Sequence, residues 1–243
     1  MVSKTSFSFN KAIIVNEKML AEIENRLLEY YSDIGYNAKL ENQDDVKFDS
    51  LDELVSFENS KINKISELNI SGRDKSYTND INIYIGINSI WGYQSDNTIR
   101  VNITADDINK KTVIKENLEN IFARNEQDKL YNYIAKSGLL STMHVISFIV
   151  ICIFIYNFLT NGFRVENKAL LISTVISVFI TWISPGLKKL QNVYYPRITF
   201  YLGDEIRDYD RKKQGRSSFF WGVIVASVLS FISYIISIIV ELI

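Results

Sequence analysis

The chain has little of the chemistry on which most catalytic sites depend. Its 243 residues include two prolines, one cysteine and one histidine. Cys152 lies inside an apolar run, which excludes an intramolecular disulfide and a paired-cysteine metal site. His144 lies at the start of the same run, so histidine-based catalysis in the hydrophilic part is excluded. P-loop, GxGxxG, HExxH and GxSxG motifs are absent. We therefore expect a protein that is not an enzyme and that holds no metal and no cofactor.

Charge and hydropathy divide the sequence into two unlike halves. Residues 1–138 carry 17 Lys and Arg against 22 Asp and Glu, whereas residues 139–243 carry 10 against 6. Almost all long apolar runs lie in the second half. The start of the chain lacks the apolar stretch of a secretory signal, so we expect the first half to stay in the cytoplasm. The boundary between the two predicted domains falls at residues 136–138.

Three apolar runs in the second half predict an all-α membrane module. The predicted spans are about 139–160, 169–184 and 218–240, because about 20 apolar residues cross the hydrocarbon core. The second run is short and ends at Pro185, which leaves a re-entrant segment open. The loop at 186–216 carries most of the Lys and Arg, which favours the cytoplasmic side. This pattern predicts a protein of the bacterial inner membrane, in contact with lipid, with its N-terminal domain in the cytoplasm.

Strict alternation of apolar and polar residues predicts strands in the first half. Isoleucines alternate with polar residues over 81–87 and again over 99–103, and residues 65–71 supply a preceding strand. Three antiparallel strands in a meander are the simplest interpretation. Helical spacing begins at Met19 and again at Ile114, after a possible N-cap at Asp106 or Asp107. The predicted fold class is α+β, with an antiparallel sheet and flanking helices followed by three transmembrane helices.

The second face of this sheet is the open question. Its polar side chains could simply be solvated, or they could meet a ligand or another subunit. Aromatic residues on the loop between the two isoleucine strands are of the kind that anchor partners or stack on bases, although packing against a neighbouring loop would also explain them. The residues that could contact a ligand or partner are Tyr84, Trp91, Tyr93, Arg100 and Asn102.

Small and polar residues recur at helical spacing in the second and third runs. Such stripes allow close helix packing with interhelical hydrogen bonds, and they would equally suit the wall of a pore. A pore made from three thin helices without an embedded charge would require a homo-oligomer. The residues predicted at this pore or helix interface are Ser173, Ser177, Thr181, Gly222, Ala226, Ser230, Ser233 and Ser237.

The loop before the third run is predicted to couple the two halves. Alternation over residues 194–202 favours a short strand or an extended segment, and the charged stretch Asp204 to Arg216 favours a helix. A plain anchor at anionic headgroups is the alternative. The coupling residues are Tyr195, Pro196, Phe200 and Gly203.

The segment from Tyr195 to Gly203, followed by a charged helix and a final span, resembles small bacterial antiphage-defence membrane effectors, including the channel-like subunit of Hailong-type systems. The resemblance covers residues 139–243. It implies an oligomeric, channel-like effector gated through its cytoplasmic domain by a nucleotide or oligonucleotide that a partner enzyme makes. It identifies no ligand-binding residue. The alternative is a membrane-anchored adaptor that recruits a soluble cytoplasmic partner.

Overall fold

A computed structural model describes the N-terminal domain and the segment that returns to it. It describes residues 3–161 apart from 76–77, 88, 91–92, 95–97 and 137, residues 191–218, and positions 174, 177, 178, 181, 186, 188, 189, 222 and 226. The strands are β1 (Ser3–Phe9), β2 (Ile13–Asn16), β3 (Asp33–Leu40), β4 (Asp45–Phe48), β5 (Ile65–Arg73), β6 (Asp80–Ile85), β7 (Ser89–Ile90), β8 (Tyr93–Gln94), β9 (Ile99–Ala105) and β10 (Ile198–Tyr201). The helices are α1 (Glu17–Leu28), α2 (Leu51–Ser56), α3 (Ile108–Arg124), α4 (Lys129–Ala135), α5 (Gly138–Asn161) and a helix at residues 205–218.

The main sheet has six antiparallel strands in the order β1-β9-β6-β5-β3-β4. The predicted meander is present as β5, β6 and β9, in which Ile83 lies opposite both Ile70 and Val101. Three further strands extend it. On one side β1 pairs with β9, and on the other β3 pairs with β5 and β4 pairs with β3. Their apolar alternation is short and mixed with Ser, Lys and Asp, which is why the sequence pattern missed them.

Helices cover the isoleucine face of this sheet. The N-cap Asn16 begins α1, and α3 is capped by Asp107, one of the two residues predicted from the sequence. Phe122 of α3 packs against the rings of Phe7 and Phe9 at 6.4 and 6.0 Å between centroids. The strand residues of this face and the inner side chains of α1 and α3 are almost fully buried in one core. Burial of this apolar surface is what stabilises the α+β sandwich.

A second, two-stranded sheet joins distant parts of the chain. β10 pairs in parallel with β2, with Ile198 opposite Ile13 and Phe200 opposite Val15. The predicted short strand in the coupling loop is therefore present, and the charged stretch after it forms the helix at 205–218. Phe200 and Leu202 enter the same core as the sheet residues.

The predicted all-α membrane module needs correction. The first apolar run forms α5, along which Phe148 and Tyr156 are exposed. Among the described residues no helix is both long and apolar enough to cross a membrane. The runs at 169–184 and 218–240 lie mostly outside them. For the described part, the three-span module and the membrane and channel assignments that depend on it are wrong.

Candidate functional site

The polar face of the six-stranded sheet, opposite the helices, carries rows of functional side chains. One row crosses five neighbouring strands through the cross-strand partners Lys47, Asn37, Asn69, Tyr84 and Arg100. Side chains directly opposite each other in such a sheet lie about 4.5–5.5 Å apart at Cβ, so neighbouring members of the row are within reach of each other. We call this surface the open face, because its side chains are half-buried or exposed.

A cavity of about 220 Å³ lies at the centre of the open face. We call it the amide groove, since three of its side chains are carboxamides. It is lined by Asn37, Lys39, Asp45, Glu67, Asn69, Asn82 and Tyr84. Beside it the pairing of β3 with β5 shifts register between Lys39 and Leu40, and the Ser66 hydroxyl donates to the Lys39 carbonyl at 2.9 Å. Such an irregularity bends a strand locally and often lies next to a binding site.

Tyr84 is held in one position across the groove. Its hydroxyl donates a hydrogen bond to the Glu67 carboxylate. Burial, followed by this bond, raises the pKa of Tyr84 above its ordinary value, and the nearby Arg100 opposes the rise. The phenol is therefore neutral at physiological pH and acts as a donor. Gly86 makes the position possible, because a Cβ there would lie 2.7 Å from the Tyr84 hydroxyl oxygen and 3.0 Å from Cγ of Glu67.

Asn69 has an unmet hydrogen-bonding requirement at the floor of the groove. Its Oδ1 is buried and accepts no hydrogen bond from the described part of the chain. A buried carbonyl oxygen without a partner costs roughly 1–3 kcal/mol. Nearly all buried polar atoms in folded proteins are paired, so an exception requires an explanation, such as a bound group that donates to it.

The groove carries charges of both signs, and its lining favours ligand groups that donate hydrogen bonds over anionic groups. Lys39 is the opposite neighbour of both Asp45 and Glu67 in the sheet. Two carboxylates against one ammonium leave the groove itself with an excess of acceptors. The cations Lys47 and Arg100 stand at the two ends of the central row, on either side of the groove. A ligand with donors in its middle and negative charge at its edge matches this arrangement.

The structure brings together part of the predicted contact set. Tyr84 and Arg100 are direct cross-strand partners, and Asn102 lies one row away as an exposed residue outside the groove. Trp91 and the side chain of Tyr93 lie outside the described residues. The sequence pattern did not single out Asn37, Lys39, Glu67, Asn69 and Gly86. The alternation of Tyr36, Ala38 and Leu40 with polar residues was the signal that could have placed β3 in the sheet.

The predicted stripe of small residues is described at four positions. Ser177 is helical and buried, and its carbonyl accepts the Thr181 hydroxyl at 2.9 Å within the same helical turn. Gly222 and Ala226 are helical and exposed. Ser173, Ser230, Ser233 and Ser237 lie outside the described residues. A pore or helix interface at this stripe stays a prediction.

The four predicted coupling residues all contact the N-terminal domain. Phe200 is buried, and the carbonyl of Pro196 accepts a hydrogen bond from the Tyr131 hydroxyl at 3.0 Å. Tyr195 packs on the ring of Tyr131 at 5.2 Å between centroids. Gly203 adopts a φ of +53° against the backbone near Asn59.

Comparison with known proteins finds no relative: no family model, no curated protein and no solved structure matches the chain. The resemblance to antiphage-defence effectors accordingly stays a prediction made from the sequence.

Proposed function

We propose that the chain is a non-enzymatic binding protein that holds the base of a nucleotide or oligonucleotide in the amide groove. The observation that carries this proposal is the unpartnered Oδ1 of Asn69 in a cavity lined by amides and carboxylates. The amide groove is built to accept hydrogen bonds from a ligand. The proposal keeps the ligand class that the sequence suggested and leaves out the channel.

The size of the groove favours a single ring system. Pockets that hold drug-sized ligands measure about 300–1,000 Å³. The amide groove, at about 220 Å³, is smaller than these and is shallow on a sheet surface. One base fits such a space, with the rest of the nucleotide lying outside along the open face. Arg100 and Lys47, at the ends of the central row, are placed to pair with phosphate there.

The chemistry of the lining favours a base with an exocyclic amino group. Adenine and cytosine each present an amino donor, which Asn or Gln and Glu or Asp side chains accept. Asn69 and Glu67 supply such acceptors from the same strand, and the ring of Tyr84 beside them offers an aromatic surface for a base. Uracil and hypoxanthine have a carbonyl oxygen in place of the amino group, so that position would bring a second acceptor against Asn69 Oδ1.

The test compares two ligands that differ at one position of the base. Adenosine monophosphate carries an amino group where inosine monophosphate carries a carbonyl oxygen. Isothermal titration of the full-length chain with each should show about tenfold or greater preference for adenosine monophosphate, because a buried acceptor left unpaired costs roughly 1–3 kcal/mol. If the amino group of cytosine is preferred instead, cytidine should exceed uridine monophosphate by a similar factor.

Matched variants tie the preference to the groove. Asn69→Ala should abolish the difference between the two members of the preferred pair, whereas Asn102→Ala, on the same face but outside the groove, should leave it unchanged. Equal affinities within both pairs, or no heat with any of the four at millimolar concentration, would remove the nucleotide proposal and leave the adaptor hypothesis ahead.

A further inference from the structure

Residues 195–216 run back across the N-terminal domain, and we call them the strap. The strap consists of β10, the turn at Gly203 and most of the helix at 205–218. It lies more than 180 residues along the chain from its partner strand β2. Closing so long a loop is entropically unfavourable, so side-chain contacts must hold the strap in place.

One fastening lies at the strand. Asn59 is fully buried between the strap and the main sheet. Its Nδ2 donates to the Phe200 carbonyl at 3.0 Å, and its Oδ1 accepts from the Ile65 amide at 2.8 Å. One side chain thereby joins β10 to the first residue of β5. Both of its hydrogen bonds are to backbone groups, and the Phe200 carbonyl also accepts from the Leu202 amide at 2.9 Å.

The other fastening is a cluster of three tyrosines around Arg216. The guanidinium carbon lies 5.3 Å from the ring centre of Tyr131, 5.5 Å from Tyr195 and 5.2 Å from Tyr209. These distances are within the range of cation–π attraction. Nη1 of Arg216 also donates to the carbonyl of Tyr194. Since the rings come from α4, from the start of the strap and from its helix, one cation joins three separate segments.

The ion pairs of Glu205 are redundant, whereas the cation–π contacts of Arg216 have no substitute among the described residues. Glu205 is buried and lies 3.3 Å from Lys64 and 3.9 Å from Lys212, so the loss of either lysine leaves the other. Of the cation–π contacts in the described chain, all those on the three tyrosines are made by Arg216. Removal of this side chain would leave the cluster without a charge at its centre.

We propose that Arg216 is the latch of the strap, so that withdrawal of this one side chain from the tyrosine cluster releases β10 from β2 while the six-stranded sheet stays folded. Release exposes the pairing edge of β2 and the site that Phe200 and Leu202 fill. The device is independent of the nucleotide proposal, because none of its residues lines the amide groove.

Hydrogen exchange of the full-length chain tests the latch. In Arg216→Ala the amides of residues 198–202 should exchange about tenfold or more faster than in the wild type, since contacts with three rings are lost. Amides of β6 and β9 should stay strongly protected and accelerate by no more than those of the strap, since the sheet remains folded. Arg216→Lys should lie between the two, because an ammonium can still sit over the rings but cannot reproduce the planar guanidinium contacts.

Two controls separate the latch from a general effect of mutation. Arg211 belongs to the same helix and contacts Asp208 within it, so Arg211→Ala should leave the strap at its wild-type rate. Tyr195→Phe keeps an aromatic ring and should also leave the exchange rate of the strap unchanged. Tyr195→Leu removes the ring and should release the strap. Wild-type exchange of 198–202 in Arg216→Ala would overturn the latch, as would loss of protection in β6 and β9, which would show that the sheet unfolds together with the strap. An effect of Arg211→Ala as large as that of Arg216→Ala would overturn it too.

Discussion

Single polar side chains hold the layers of the N-terminal domain together. Tyr36 of β3 lies beneath α1 and is 2% exposed. Its hydroxyl donates to Oε1 of Glu24 at 2.7 Å, which joins the sheet to the helix. Burial raises the pKa of Tyr36, and the hydrogen bond to Glu24 and the negative charge of that carboxylate raise it further. Burial also raises the pKa of Tyr31 and Tyr131.

These shifts predict a loss of stability in alkali. A tyrosine whose pKa is raised by folding gives its full stabilisation below the unfolded pKa of 10.0, and loses it as the pH rises above that value. Each such tyrosine should lower the free energy of unfolding by about 1.4 kcal/mol per pH unit above pH 10. In urea melts between pH 9 and 11.5, Tyr36→Phe should make this slope shallower. A slope in Tyr36→Phe equal to that of the wild type would contradict the assignment to Tyr36.

At the scale of elements, the turn between β10 and the following helix depends on one glycine. Gly203 has a φ of +53°, a region that side chains other than glycine rarely adopt. A Cβ there would lie 2.8 Å from both the Asn59 amide nitrogen and the Phe57 carbonyl oxygen. Both atoms belong to the backbone, so the conflict cannot be relieved by a change of rotamer. The turn therefore fixes how closely the strap approaches the loop before β5.

Gly203→Ala should destabilise the docked strap by more than about 2 kcal/mol, through the positive φ and the backbone clash together. Gly215, in the helix at 205–218, is the matched control. A Cβ at that position meets only Cε1 of Tyr194, at 3.9 Å. Gly215→Ala should stabilise the helix by about 0.5–1 kcal/mol. Hydrogen exchange at residues 198–202 measures both effects. Slower exchange in Gly203→Ala than in the wild type would show that the turn is not strained by a side chain.

At the scale of the whole molecule, the C-terminal half contributes to the fold of the N-terminal half. Ile198, Phe200 and Leu202 pack with the core that α1 and the sheet enclose. Each large apolar side chain that is fully buried contributes about 1.5–3 kcal/mol. Two or three such side chains contribute a sizeable part of the free energy of unfolding of a domain, which is usually about 5–15 kcal/mol.

A fragment of residues 1–138 should therefore be markedly less stable than the same region in the full chain. Its deficit should be about 3 kcal/mol or more, from the loss of the strap's apolar side chains. A separate peptide of residues 194–218 should restore part of this loss, because it carries β10 and Arg216. Its Phe200→Asp variant should not. Urea melts of the fragment with each peptide measure the effect, and a fragment as stable as the full-length region would show that the strap is dispensable.

Patterns within short stretches of sequence determined much of the sheet and the helices. Alternation places Ile81, Ile83 and Ile85 on one side of their strand, and Ile99, Val101 and Ile103 on one side of theirs, because side chains of a strand point alternately to its two sides. In the same way, helical spacing and the cap at Asp107 define α3. The polar face with Tyr84 and Arg100 follows from the same alternation. The apolar runs were equally clear in the sequence, but the three-span module inferred from them was wrong for the described residues.

Only the tertiary structure decided which polar residues form the amide groove and which side chain latches the strap. Asn37, Asn69 and Tyr84 lie on three strands separated by up to 47 positions, and their meeting depends on the register of β3, β5 and β6. The cluster of Arg216 with Tyr131 depends on a parallel pairing between strands at opposite ends of the chain. Short-range patterns carry no record of such register or pairing, since both are fixed by contacts between residues far apart in sequence.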